Sequence, residues 1–304
     1  MTSRLNFKQK SVAAAIAVGS IFLGLRTIYN RESLETNPFK EFNQWLNSFI
    51  VPESLIELSN DWFGEYGGHY FVLYVRNLLA GSFIYYFVNG LWHIYIYKIK
   101  GKKLFSQKEF PSKEVIADQI LLGQSSMIVY AALPVFSEWL IEEGYTRVYF
   151  NWEEIGGFSS YLLFTALYLC LVECGIYWMH RKLHTNKLLY KYIHALHHKY
   201  NKPSMLTPWA SVAFNPLDGI LQACPYVLFL LVVPCHYLTH MAMVFFTAIW
   251  ATNIHDALEG DSEPILGSKY HTVHHTHYHY NFGQFFIFCD MFWGTLRKPG
   301  KRVQ

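Results

Sequence analysis

His271 to Tyr280 reads HTVHHTHYHY, five histidines in ten residues of a chain that holds fifteen in 304. Imidazole transfers protons near neutral pH, senses pH, or ligates metals. Spacing separates these uses. One cluster is His180 and His184 in HRKLH, spaced i, i+4. A second is His194, His197 and His198 in HALHH, and a third is His271, His274 and His275 in HTVHH, both spaced i, i+3, i+4. On a helix these spacings point the members of a cluster to one face. The run KLLYKYIHALHHKY holds no Gly or Pro, which predicts a helix there. Sensing pH or binding anionic lipid heads would not require repeated x-x-H-H pairs; presenting imidazoles to a common centre does.

Eight such nitrogens exceed one octahedral site, so the count implies two ions. A structural zinc site would close with four ligands, usually including cysteine, and no cysteine lies in the boxes. Neutral imidazole suits zinc, copper, iron and nickel alike. Iron is the choice that gives a membrane enzyme oxygen chemistry, as two irons do in soluble carboxylate-bridged proteins. Carboxylates near the boxes are few. Glu173 stands seven residues before His180 and shares its helical face, and Asp256 adjoins His255. Each either orients an imidazole or serves as an ordinary hydrogen-bonded acid. Isolated histidines in apolar surroundings, His69, His93 and His240, read as satisfied core residues.

The elements that must carry these boxes are apolar. Hydrophobic residues make up 52% and charged residues 15%, against about 25% charged in soluble domains. A net charge of +3 is too small for a nucleic-acid binder. The five cysteines, without C-x-x-C spacing, read as small hydrophobes. A bilayer core takes about 20 apolar residues as helix. Asn77 to Tyr97, Ile120 to Ile141 and Ser160 to Met179 meet that length, and Val212 to Ile254 is long enough for a helical hairpin. The shorter Val12 to Leu25 reads as an anchor, with a tilted span or a signal peptide as alternatives. The expectation is an all-α integral membrane protein with about four to five transmembrane helices or helical hairpins and a cytosolic histidine-rich metal-binding cap. Residues 1–70 form an N-terminal anchor and variable lumenal region, and 71–304 the membrane-embedded domain.

Lysines set the orientation. Lys98, Lys100, Lys102, Lys103 and Lys108 follow one run, and Arg181, Lys182, Lys187, Lys191, Lys199 and Lys202 follow another, while 142–157 is acidic. Positive loops stay cytosolic, which puts every histidine box on the cytosolic side just beyond span ends and 142–157 in the lumen. A membrane metal transporter, the non-enzyme alternative, would hold its ligands near the bilayer midplane instead.

The phrases ECGIYWMHRKLH, YKYIHALHHKYNKPSMLTPWA, NPLDGILQACP, WATNIHD and YHTVHHTHYHYNFGQFF…DMFWGTLRKP resemble the sterol desaturase branch of the fatty acid hydroxylase superfamily, and within it the sterol C-5 desaturases of plant type. The resemblance runs from about Gly81 to Pro299, with boxes and connecting phrases in one order. It implies an endoplasmic reticulum enzyme that introduces the C5–C6 double bond into a Δ7-sterol. Two irons would be the cofactor, O2 the co-substrate, and NADH the electron source through cytochrome b5 and its reductase. It implies metal ligation by His180, His184, His194, His197, His198, His271, His274 and His275, by His255 of the IHD phrase, and further by His236. Relatives often carry histidine where this chain has Asn215, so Asn215 either ligates weakly, supports the site, or shapes the substrate entrance. His277 and His279 are additions that flank the site and could compensate for Asn215. Desaturation and hydroxylation share their first hydrogen abstraction. A sterol C-4 methyl oxidase or a lipid hydroxylase of the same superfamily is therefore the alternative within the enzymes.

Overall fold

The computed structural model describes residues 37–104, 110–202, 205–256 and 263–300. The short apolar run Val12 to Leu25 lies outside them. Helix α1 (Pro38–Ile50) starts at Asn37, whose side chain accepts from the Phe39 and Lys40 amides. Helix α2 (Glu53–His93) bends at Gly64, where φ is 68° and only glycine is unstrained, and runs on as a π-helical turn, Ile94–Ile99. Helices α3 (Lys113–Tyr130) and α4 (Ala132–Glu142) are nearly continuous. A connection then leads to α5 (Phe158–Thr185). Helices α6 (Pro216–Leu228) and α7 (Tyr237–Ile254) follow, then α8 (Ser268–His277) and α9 (Phe288–Trp293).

Three stretches are long and apolar enough to cross a membrane: Glu53–Ile99, Lys113–Glu142 and Phe158–Thr185. They contain the three single runs marked in the sequence. Each shows large exposed side chains, among them Phe83, Phe87, Leu121, Leu162 and Leu163, as expected of helices solvated by lipid tails. The fourth run folds back on itself. Its α6 half is a shorter apolar helix, continued to Leu231. The reversal is pinned by strand β2 (Cys235–His236), which pairs in parallel with β1 (Val148–Tyr149) of the acidic connection. One end of the molecule therefore holds the β pair and the 142–157 connection. The other holds the start of α6 and the ends of α5 and α7.

Two features lock the bundle. At the β end, Arg76 pairs with Glu138 and donates to Asn43 Oδ1 (3.0 Å) and Asn47 Oδ1 (3.1 Å), joining α2, α4 and α1. Glu142 accepts from His69 (2.9 Å) and from Asn43 (2.7 Å). His69 is thus a paired core residue of α2. At the opposite end the loop before α6 is stapled to α3. Tyr200 donates to Asp118 at 2.6 Å, and Gln119 donates to the Met205 carbonyl at 2.7 Å.

Removing one member of a buried ion pair strands the other charge, which costs about 3–5 kcal/mol, whereas replacing both with apolar residues is close to neutral. Glu138→Ala is expected to lower the thermal unfolding midpoint in detergent sharply, and the double variant Arg76→Met with Glu138→Leu to recover most of the loss.

Candidate metal centre

Four segments converge on one buried volume. The last turns of α5 supply His180 and His184, the end of α7 supplies His255, and α8 supplies His271, His274 and His275. The second box departs from the expected regular helix. After one α-turn, Lys187–Leu189, the chain widens to a π-helical turn, Tyr190–His194, and then tightens to a 3₁₀ turn, His197–Lys199. All nine of these histidines are buried.

They fall into two groups. His180, His184, His194, His198 and His274 form one, and His197, His255, His271 and His275 the other; within each group, one ligand nitrogen per residue lies within 4.8 Å of all the rest. The division follows a rule. Every i, i+4 pair stays together: His180 with His184, His194 with His198, and His271 with His275. The i+3 member of each H-x-x-H-H box goes to the other group. At 3.6 residues per turn, positions i and i+4 differ by about 40°, while i+3 lies about 100° from i+4. The common centre expected for the eight imidazoles thus comprises two adjoining groups, and each H-x-x-H-H box divides its members between them.

The spacing of donors fits a metal. Bonds of about 2.1 Å to imidazole nitrogen place adjacent octahedral ligands about 3.0 Å apart and opposite ones about 4.2 Å apart. In the first group Nε2 of His184 stands 2.8 Å from that of His194 and 3.1 Å from that of His198. In the second, His271 Nε2 is 2.9 Å from His255 and 3.0 Å from His275. Nε2 of His180 and of His274 is buried with no hydrogen-bond partner among the described residues.

The other ring nitrogen shows why Nε2 points inward. His180 Nδ1 donates to the Phe282 carbonyl (3.1 Å), His274 Nδ1 to the Tyr280 carbonyl (2.8 Å), and His255 Nδ1 to Ala251 of its own helix (2.7 Å). Each bond places the proton on Nδ1 and leaves the Nε2 lone pair for the cluster. His194 Nδ1 donates to Asp218 Oδ2 at 2.7 Å, both side chains being fully buried. Asp218 is the one formal charge in the 43 residues from Val212 to Ile254, and a lone carboxylate in such a run is itself a signal.

Of the two readings of Glu173, the hydrogen-bonded acid holds: its carboxylate accepts from the amides of Gln284, Phe285 and Phe286. It therefore holds the loop whose Phe282 carbonyl orients His180. Asp290 accepts from Phe282 and Gly283 at 2.9 Å each. A Cβ at Gly283 would collide with the Phe286 carbonyl.

Other candidates lie elsewhere. His236 packs against Tyr149 and Tyr161, and Tyr161 is nineteen residues before His180 on α5, about 28 Å along the axis. It is out of reach because the pairing of β2 with β1 holds it at the far end of the bundle. Asn215 caps α6, accepting from the Leu217 amide (3.0 Å) and donating to the Tyr192 carbonyl (3.2 Å). It belongs to neither group and positions the helix that carries Asp218. His277 and His279 are exposed. Asp256 Oδ2 accepts from Trp92 Nε1 at 3.2 Å. His240 is a core residue between Ser137 and Tyr168, and His93 accepts from Trp209.

A mostly apolar cavity of about 200 Å³ opens onto both groups, through His180 of the first and His197, His255 and His271 of the second. It runs between α2, α4, α6 and α7 toward Asn77 and Glu138. Fold and site together define a polytopic, predominantly helical membrane protein with two adjoining all-histidine sites that could hold metal at the head of an apolar tunnel. The fatty acid hydroxylase family model matches residues 165–295, which hold every one of the nine histidines. The chain is 41% identical to the Delta(7)-sterol-C5(6)-desaturase of Nicotiana tabacum over 89% of its own length and 96% of the relative's. It is 33% identical to the lathosterol oxidase of Rattus norvegicus over 75% of each. It is also 32% identical to a Delta(7)-sterol 5(6)-desaturase of Leptosphaeria maculans, over 76% of this chain and 63% of that one. No solved structure matches. The chain belongs to the sterol C-5 desaturase family of oxidoreductases, within the fatty acid hydroxylase superfamily.

Burial holds these imidazoles neutral. It pushes His194 down to about 3 and His255 to about 4. Burial, then the neighbouring imidazoles, set His197, His271 and His275 well below 6.5. Below about 6.5 the unfolded chain takes up protons that the folded cluster refuses, so stability is full above that pH and falls as pH drops toward the folded values. The unfolding midpoint of metal-stripped protein should be flat from pH 8 to 7 and decline steadily below 6.5.

Proposed function

We propose that this protein is a di-iron, O2-dependent sterol C-5 desaturase that removes one hydrogen each from C5 and C6 of a Δ7-sterol, in the endoplasmic reticulum membrane. The observation that carries this reading is the opening of both histidine groups onto one apolar cavity between membrane-spanning helices. The relatives' names supply the reaction. His180, His184, His194, His198 and His274 would hold one iron, and His197, His255, His271 and His275 the other. When bound, the pair would supply the oxidising power drawn from O2 that breaks a ring C–H bond. The reaction consumes one O2, two electrons and two protons, and yields two waters. The electrons come from NADH through cytochrome b5 and its reductase.

The chain's own part is placement. Asp218 and the carbonyls of Phe282, Tyr280 and Ala251 fix which nitrogen faces the metal. Glu173 and Asp290 hold the loop that supplies two of those carbonyls. Cavity walls such as Ile84, Val227 and Val244 exclude water and hold the ring carbons. Rigid placement favours loss of the second hydrogen over return of oxygen to carbon. Residues 71–304 form the catalytic domain, and the segment before it docks through α1. The histidine end faces the cytosol, where exposed Lys187, Lys191 and Lys202 give an acidic electron carrier a docking surface.

Sterol profiling of a C-5-desaturase-deficient cell expressing the chain is expected to show restored Δ5,7-sterols. His274→Ala should abolish them while the protein stays in the membrane, with iron falling from about two per chain. Asp218→Asn should weaken iron retention about 10- to 100-fold. Unchanged Δ7-sterol in the cells carrying the intact chain would overturn the assignment.

The orientation has its own test. An impermeant thiol reagent applied to sealed microsomes is expected to modify Lys187→Cys and to spare Glu153→Cys until detergent opens the vesicles. The reverse pattern excludes a cytosolic site.

A further inference from the structure

We propose that Thr252, Ser211 and Asn89 form the seat for the C3 hydroxyl of the sterol, because they make a buried hydroxyl–amide cluster on the cavity wall beside His255. The proposal rests on the desaturase reading and adds the group that sets substrate register.

Thr252 and Ser211 both line the cavity, from α7 and from the 3₁₀ turn Pro208–Val212. Asn89 of α2 joins them. Thr252 Oγ1 donates to Asn89 Oδ1 at 2.7 Å, and Asn89 Nδ2 approaches Ser211 Oγ at 3.5 Å. All three are buried, Asn89 completely. Polar groups at this depth are costly unless satisfied. The Thr252 hydrogen is committed to Asn89, which leaves its oxygen lone pairs as acceptors. Ser211 accepts the long bond from Asn89 and can turn its own hydrogen toward a ligand. One acceptor and one donor, side by side, match an alcohol, which both donates and accepts.

Position chooses the ring end of the sterol. Thr252 precedes His255 by three residues, about 4.5 Å along the helix axis. In a sterol the hydroxyl-bearing C3 is separated from C5 by a single carbon. A hydroxyl seated on Thr252 therefore keeps C5 and C6 beside the histidines and sends the apolar side chain down the tunnel. The polar groups at the far end cannot do this. Asn77 lies twelve residues before Asn89 on α2, about 18 Å away along the axis, and Glu138 there is already paired with Arg76. His240 is held between Ser137 and Tyr168, and Gln222 donates to Asp218 at 2.8 Å.

The test compares a Δ7-3-hydroxysterol with its 3-deoxy analogue. Equilibrium binding to metal-stripped, detergent-purified protein gives one readout, and KM and kcat in microsomes a second. Intact protein is expected to bind the hydroxysterol about 10- to 100-fold more tightly, the range of a buried hydrogen-bonding pair. Thr252→Val with Ser211→Ala should shrink that ratio below about threefold, raising KM more than it lowers kcat. Thr252→Ser, which keeps the hydroxyl, should preserve it. If the double variant does not fold, Ser211→Ala alone should still reduce the ratio. No preference in the intact protein, or a full preference retained by the valine–alanine variant, would overturn the seat. Intact protein that discriminates in binding yet forms no Δ5,7-sterol would instead refute the desaturase reading and leave the seat standing.

Discussion

Nine buried imidazoles packed with their ring nitrogens facing one another are the constraint on which this structure depends. Lone pairs about 3 Å apart repel unless a cation or a proton lies between them, and burial disfavours the proton. The fold therefore spends much of its polar chemistry on keeping the rings turned inward. A carboxylate behind His194 and backbone carbonyls behind His180, His255 and His274 each take the outward N–H. These acceptors come from α6, α7 and the segment between α8 and α9, so nearly every element at this end of the bundle takes part.

The constraint explains the loop at 281–287. It carries Phe282, whose carbonyl orients His180, and follows Tyr280, whose carbonyl orients His274. Amides of a loop packed into the bundle need partners within the protein. Glu173, from the middle of a membrane-spanning helix, takes three of them, and Asp290 takes two more. Gly283 lets the two carboxylates approach, since a side chain there would strike the Phe286 carbonyl. Cys174 and Cys289, neighbours of these acids, bring their sulfurs to 3.5 Å and fill the remaining space.

The arrangement also separates a reaction site from a transport site. A transporter places polar ligands along a path that crosses the bilayer. Here the ligand groups close one end of the bundle. The far end of the cavity meets a set of polar groups already satisfied by one another, Arg76 with Glu138 and His69 with Glu142. The tunnel between is lined by apolar side chains, suited to a rigid lipid lying lengthwise.

Much of this was legible in the sequence. Hydrophobic runs marked the spans because bilayer thickness sets helix length, and three of the runs fall inside the three long helices. The boxes marked eight of the nine clustered histidines by spacing alone, and family likeness added His255. The likeness also pointed to His236, which the β1–β2 pairing places at the wrong end. Sequence could not show that each H-x-x-H-H box divides its members between two sites. Spacing fixes only the angles within one helix, whereas which partner fills each angle depends on how four segments meet. Nor could it show that Asp218 stands behind His194, twenty-four residues away, or that Asn215 caps the helix that brings it there. Such contacts are set by the packing of α6 against α5 and the second box. A pattern along one chain carries no measure of distance between elements, and only the tertiary structure supplied it.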